Sequence, residues 1–286
     1  MIKELATNVH RVEELCELWG VSASGYYAWV NRAPSKRRKA DVVLATEVQK
    51  IHKASRKTYG SPRITKQLRK TGVRCSRKRV ARIMKQEAIQ GVQKARYRPR
   101  TTDSRHNYPI SPNRIEGMPI EDVNQVWTSD ITYIPTLEGR LYPAAFMDLK
   151  SRRIKGWRLR DHLKTELVED AFRQAVLRER PGPGLIVHSD RGCQYASHQF
   201  RQVLTQHQAL SSMSGKGNCY DNAAMESFWA TLKTDLKIRQ PFKTKEEARQ
   251  AIFDYIEVFY NRIRLHSALD DLSPLDFETN CVKLCV

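Results

Sequence analysis

The stretch "QVWTSDITYIPTLEGRLYPAAFMDLKSRRIKGWRLRD", residues 125 to 161, decides the fold. Its first part, "QVWTSDITYIPT", is rich in β-branched and aromatic residues, the composition of a strand. "EGR" reads as a turn, and "LYPAAFMDLKS" and "RRIKGWRLRD" continue as strands, so three antiparallel strands are expected. Pro143 is awkward in a central strand and suggests a bulge or a strand start.

Downstream, "TELVEDAFRQAVLRER" has the pattern of an amphipathic helix ended by "PGPG". "LIVHSD" is a short apolar run suited to a buried parallel strand. "ASHQFRQVLTQHQ" reads as a helix, "ALSSMS" as a strand, and helices are expected from Asp221 to Lys237 and from Thr244 to Arg262. The order βββ, helix, β, helix, β, helix predicts an α/β layer fold: a mixed five-stranded sheet flanked by helices.

Upstream the chain reads as all-α. Two short helices are expected within residues 9 to 31, with Ser22 as an N-cap. "DVVLATEVQKIHKAS", "SPRITKQLRKTG" and "SRKRVARIMKQEAI" carry apolar stripes at helical spacing, and the last two, joined by "GVRC", look like a helix-turn-helix. Between Lys53 and Lys85 there are thirteen Lys or Arg and no Asp or Glu. A solvated face usually mixes signs, so this run points to a polyanion. Within it Arg63, Lys66, Arg77, Lys78, Arg79 and Arg82 are candidate DNA contacts. Residues 93 to 122 form a proline-containing linker in which Arg96, Arg98 and Arg100 are suited to tracking a phosphate backbone or to a plain tether. The expected organisation is an N-terminal helical region (1–40), a helix-turn-helix-like domain (41–92), the linker (93–122), a catalytic domain (123–277) and a tail (278–286).

Bulk composition agrees. The 286 residues carry a formal net charge of +19, which favours nucleic acid as partner. Hydrophobic residues make up 40%, enough for a packed core. Six cysteines are scattered without a C-x-x-C pair, which argues against a zinc finger or a disulfide framework and suits reduced thiols in a cytoplasmic protein. The polar stretch after Met1 does not read as a signal peptide, and no apolar run approaches the roughly 20 residues of a membrane span.

Acidic residues stand out against this background. Asp130 lies in the first strand and Asp190 ends the short apolar one; each suits either a turn or cap, or a ligand site at a strand end. Glu226 borders the stripe Met225, Trp229, Leu232 and Leu236, with Lys233 two turns further on nearly the same side. It reads either as a boundary ion pair or as an acid at a cleft wall. Phosphodiester chemistry gives the second reading a purpose, because hard divalent cations take oxygen ligands and a pair of them activates both the attacking and the leaving oxygen.

The motifs "VWTSDITYIPTLEGRLY", "FMDLKSRRIKGW", "IVHSDRGCQYAS", "GNCYDNAAMESFWATLKTDL" and "FDYIEVFYNRIRLHSALDDLSPLDF", in this order, resemble the OrfB-type transposases of bacterial insertion sequences, members of the DDE recombinases with a retroviral-integrase-like core. "TYGSPRITKQLRKTGVRCSRKRVARIMK" is similar to the helix-turn-helix region that precedes that core, and "LCELWGVSASGYYAW" to the family's amino-terminal stretch. Thirty-five residues separate Asp190 from Glu226, the interval of this group.

The resemblance implies an RNase H-like core in which Asp130, Asp190 and Glu226 are catalytic and hold two Mg²⁺, with Mn²⁺ able to substitute. It implies cleavage at the element ends and attack of the freed 3′-hydroxyl on another phosphodiester, without a covalent protein–DNA intermediate. Lys233 is assigned to DNA phosphate. Arg191, with His188, Gln194 and Tyr195, would shape the metal loop or touch DNA, His188 as a hydrogen-bonded residue rather than a ligand. Lys216 joins the DNA contacts. Asp221 and Asn222 would brace the helix start, and Asp148 would be structural. Expected partners are double-stranded DNA (terminal repeats and target), further copies of the chain on that DNA, and the family's upstream-frame helix-turn-helix product, separate or fused. The expected setting is the bacterial cytoplasm, at the nucleoid, with no membrane. The chain departs from the family at Pro143 and at Asp270–Asp271, away from the acids. Two other readings share these motifs: a helix-turn-helix regulator with an RNase H-like domain, and an integrase or nuclease without transposition.

Overall fold

The structure, a computed structural model, describes residues 11–92, 108–215, 222–238 and 240–284. The chain divides into two compact units, Met1–Lys50 and Ile51–Val286. In the first, α1 (Val12–Leu18) and α2 (Ala23–Val30) are joined by a turn where Gly20 has φ +62° and Ser22 caps α2 by accepting from Gly25 N at 3.1 Å. Helix α3 (Lys36–Ala54) contains the division between the units, so the domain boundary expected at residue 41 falls inside a continuous helix.

After the end of α3, the second unit continues with α4 (Ser61–Lys70) and α5 (Arg77–Gln86), which pack together and bury Ile64, Leu68, Val80, Ile83 and Met84. Pro62 sits in the first turn of α4, where its missing N–H costs nothing. Ser76 caps α5.

The sheet follows: β1 (Val126–Ile131), β2 (Ile134–Thr136), β3 (Gly139–Asp148), β4 (Ile154–Arg160), β5 (Ile186–Ser189) and β6 (Leu210–Met213). Its main order is β4-β3-β1-β5-β6, with β3 antiparallel to β1 and β4, and β5 parallel to β1 and β6. This is the expected RNase H-like arrangement with one correction. The first expected strand is broken at Thr132–Tyr133, and its second half is the short β2, also paired with β3. The break explains Pro143, which lies mid-strand rather than at a strand start. Its carbonyl accepts from Thr132 N at 3.0 Å, and in a strand a residue's N–H and C=O point to the same side. The donor that proline lacks therefore faces the jog between β1 and β2, where the ladder is already interrupted.

Helices α6 (Thr165–Glu179) and α8 (His198–Gln206), with the single turn α7 (Cys193–Ala196) between them, share a core of Trp127, Phe146, Phe172 and Phe200. Strand β4 approaches α6 so closely that a Cβ on Gly156 would lie 2.5 Å from Ala171 O, which is why glycine is needed there. Helix α9 (Ala223–Asp235) packs beside β1, burying Met225, Phe228, Trp229 and Leu232. Leu236 is half-buried and Phe228 takes the expected core position, a wider stripe than the sequence suggested.

The expected helix from Thr244 to Arg262 is α10 (Lys245–Phe253) running into a π-helix, Asp254–Tyr260. The wider π turn buries the pairs Tyr255/Phe259 and Ile256/Tyr260 together, each pair four residues apart. Helix α11 (Pro274–Leu284) replaces most of the expected tail. Its Glu278 joins a buried ion cluster with the fully buried Lys155 (2.6 Å), Arg153 (2.6 Å) and, through Lys155 at 2.8 Å, Glu179. A polar anchor is invisible to a search for apolar periodicity.

The linker is also partly structured. Residues 111–114 lie along β6, the edge of the sheet, where Ser111 Oγ lies 2.9 Å from Ser211 Oγ and Arg114 N donates to Ser212 Oγ at 2.9 Å. Covering an edge strand blocks its unpaired backbone groups. Among the described residues no helix is long and apolar enough to cross a membrane.

Candidate active site

Alternation along β1 builds one wall of the site. Trp127 and Ser129 turn toward α6–α8, where Ser129 Oγ meets the Tyr195 hydroxyl at 2.9 Å. Thr128 and Asp130 turn to the other side, where Thr128 Oγ1 donates to Asn222 Oδ1 at 2.8 Å. Asn222 is the N-cap residue of α9, so this bond ties the start of the helix to the strand that carries Asp130. Asp190 follows β5, the parallel neighbour of β1, and its Oδ1 accepts from Gly192 N at 3.0 Å. Glu226 is exposed in the first turn of α9.

The three acids share one electrostatic field. The Asp130 carboxyl is pushed well above the usual carboxylate range, first by burial, then by repulsion from Asp190 and, more weakly, Glu226. The Ile131 N–H and Lys233 oppose this. Like charges collected around a desolvated carboxyl are the condition that a cation relieves, and three all-oxygen side chains suit a hard divalent ion. Among the described residues no three Asp, Glu, His or Cys side chains are close enough to form a finished cage. The residues fit a divalent cation in charge and donor type, and the cation would have to draw them together.

Lys233 closes the site from α9. Its Nζ donates to Thr132 Oγ1 at 2.7 Å and lies 4.8 Å from the centre of the Tyr133 ring, which also carries Arg140 at 5.3 Å. Burial lowers its pKa to about 8, against the pull of Asp130. The Tyr195 hydroxyl is buried, and burial followed by the charges of Asp130 and Asp190 pushes its pKa well up, so the phenol stays protonated. His188 is buried between two serines of the β6 side, Nδ1 2.9 Å from Ser212 Oγ and Nε2 3.2 Å from Ser214 Oγ. Arg191 Nε donates to Ser214 O at 2.8 Å, and Gln194 Nε2 to Leu163 O at 2.9 Å. Asp148 is buried at the far end of β3, where it accepts from Ser151 N (2.8 Å) and Asn124 N (2.6 Å) and holds the β3–β4 turn. Burial raises its pKa against those two bonds.

The basic helices divide into two sets. Arg77, Lys78 and Arg82 are exposed on α5, with Arg82 also bonded to Gln86, and Arg79 is half-buried beside them. Arg63 and Lys66, grouped with them in the sequence, turn to internal partners: Arg63 lies over the Tyr59 ring and Lys66 pairs with Asp271. Arg96, Arg98, Arg100, Lys216 and Asp221 lie outside the described residues. Sequence reading passed over Ser129, Thr132, Tyr133 and Arg140. Thr132 and Tyr133 mark the strand break, which the strand-like composition of the segment concealed.

Two parts of the chain, residues 121–219 and 226–281, match family models for an integrase core domain, and residues 39–97 match an HTH-like domain. An insertion element IS600 31 kDa protein of Shigella sonnei is 42% identical, covering 92% of this chain and 97% of its own. The transposase for insertion sequence element IS904 of Lactococcus lactis is 42% identical, covering 87% of this chain and 98% of its own. Among solved structures, a chain of the simian T-cell lymphotropic virus intasome in complex with PP2A regulatory subunit B56 gamma is 14% identical, covers 80% of this chain and 73% of its own, and has a TM-score of 0.47.

Proposed function

The chain belongs to the integrase-core transposases of bacterial insertion sequences, and from that premise we propose that it cuts a phosphodiester at the ends of its element and joins the freed 3′-hydroxyl to target DNA. The observation that carries this reading is the field around Asp130, in which Asp190 and Glu226 act on one half-buried, desolvated carboxyl. Asp130, Asp190 and Glu226 would hold divalent cations, Mg²⁺ or Mn²⁺. When bound, such ions sharpen an attacking oxygen and stabilise a leaving one.

The chain's own side chains do the rest. Lys233, fixed by Thr132 and Tyr133, offers its ammonium to a DNA phosphate beside the acids. The Tyr195–Ser129 bond and the Asn222–Thr128 bond hold the two flanking elements to β1, so the acids have fixed roots. Arg191 is oriented by Ser214 at the mouth of the Asp190 loop. Arg77, Lys78, Arg79 and Arg82 bind duplex backbone, and Arg96, Arg98, Arg100 and Lys216 are assigned to DNA as well.

The chemistry balances without an energy donor. Water adds to phosphorus and the 3′-oxygen leaves with a proton. That hydroxyl then attacks a target phosphorus, and a second 3′-oxygen departs, so one phosphodiester forms as one breaks. We assign residues 41–92 to element-end binding and 123–277 to catalysis, and place the work on bacterial chromosomal DNA in the cytoplasm, with several copies of the chain on each DNA.

The test is cleavage and joining of a labelled duplex carrying the element end, in Mg²⁺ against chelator. Both products should require the ion. Binding without either product would instead support a regulator, and cleavage without joining a nuclease.

A further inference from the structure

We propose that Asp235, acting through Arg264 and Tyr59, is a positioning residue that ties the helix carrying Glu226 and Lys233 to the basic helical layer of residues 51–92. This rests on the reading of Glu226 as a metal-holding acid.

Asp235 is the last residue of α9. A carboxylate there opposes the helix dipole. Its side chain is only 7% exposed, and burying a charge is costly unless a partner compensates. The position works against local stability, so its partners matter. Arg264 Nε donates to Asp235 Oδ2 at 2.8 Å from a side chain 6% exposed. The Tyr255 hydroxyl donates to the same oxygen at 2.9 Å.

Arg264 is in turn held by a residue from the other end of the unit. The Tyr59 hydroxyl accepts from Leu265 N at 2.7 Å and donates to Ile263 O at 3.4 Å, gripping the backbone on both sides of Arg264. Tyr59 is buried between α3 and α4. Two further clamps flank it. Arg56 pairs with Asp254 at 2.5 Å and lies over the Phe259 ring, and Asp271 takes both Lys66 and Lys70, the latter through its carbonyl at 2.6 Å. The layer therefore holds the 254–271 segment at three points, and the middle one reaches α9. At its other end α9 is fixed to β1 by Asn222. Glu226 and Lys233 lie between these anchors, and a displacement of about 1 Å at a reacting centre can cost on the order of 100-fold in rate.

The experiment uses the full chain. Tyr59→Phe removes one oxygen and keeps the ring beneath Arg63. Single-turnover cleavage of a saturating element-end duplex should fall at least about tenfold, with Kd for that duplex within about twofold of wild type. Amide hydrogen exchange at Thr231–Leu236 should quicken, while that of β1, β3 and β4 stays unchanged. The double variant Tyr59→Phe/Asp235→Asn should be no slower than the slower single variant, because both break one path. A wild-type rate with unchanged exchange, losses that add, or a rate loss matched by an equal loss of affinity would each overturn the proposal. If wild type neither cleaves nor joins, the reading of the acids fails, and hydrogen exchange still decides whether Tyr59 holds α9.

Discussion

The acidic site and the basic helical layer of the second unit are opposites in how charge is used. In the site, carboxylates are gathered against their own repulsion: Asp130 is half-buried and feels both Asp190 and Glu226. In the layer, thirteen bases spaced along Lys53–Lys85 look like one continuous face in the sequence, yet the fold sorts them. Arg56, Lys66 and Lys70 turn to Asp254 and Asp271, while Arg77, Lys78 and Arg82 stay exposed. Like charges gathered in one place suit an ionic ligand, and paired opposite charges make a joint.

The largest effect that could break this contrast is in the site. Asp190→Asn should lower cleavage and joining by roughly 10³-fold, with affinity for duplex unchanged, as read by gel assays of product and of binding. Retained activity would remove Asp190 from the chemistry.

Next is the layer. Arg77→Ala/Lys78→Ala/Arg82→Ala should weaken duplex binding by about 10- to 100-fold and flatten its dependence on salt, since each lost phosphate contact lowers the slope by about 0.9. Rates at saturating DNA should be nearly unchanged. Fluorescence anisotropy across a salt series separates the two.

A third prediction tests the joint. Burial first, then Arg264, Arg63 and Arg152, lower the pKa of His266 to about 3. The ring is neutral in the fold and titrates near 6.5 when unfolded, so the unfolded state binds the extra proton between those values. Stability is then complete above pH 6.5 and falls as pH drops toward 3, by roughly 2 kcal/mol at pH 5. Urea unfolding at pH 7.5 and 5 should show this loss, and His266→Leu should reduce it. An unchanged pH dependence in that variant would show that burial and these arginines do not hold the ring neutral.

The smallest effect sharpens the sorting of bases. Lys66→Ala should leave duplex affinity unchanged and cost under about 1 kcal/mol of stability, since its ion pair with Asp271 is partly exposed. A clear loss of DNA binding would move Lys66 back to the interface.

Much of the site was legible because its residues break local rules. An acid at the end of an apolar strand, and another at the edge of an apolar stripe, are visible one-dimensionally. The succession of strands and helices along most of the chain followed from period and turn residues. What stayed hidden depends on partners far along the chain. The split of the first strand at Thr132–Tyr133 sits opposite Pro143 on the neighbouring strand, a pairing the local sequence does not show. The helix Pro274–Leu284 is anchored by Glu278 on the buried Lys155, and no apolar pattern announces it. The division of the basic run needs Asp254 and Asp271, which lie about two hundred residues away.

The central claim is that Asp130, Asp190 and Glu226 are one cation site. Mn²⁺ titration followed by electron paramagnetic resonance reads it without DNA or turnover. Wild type should bind the ion, and Asp130→Asn, Asp190→Asn and Glu226→Gln should each weaken that binding sharply. Mn²⁺ bound equally well by all three variants would contradict the account.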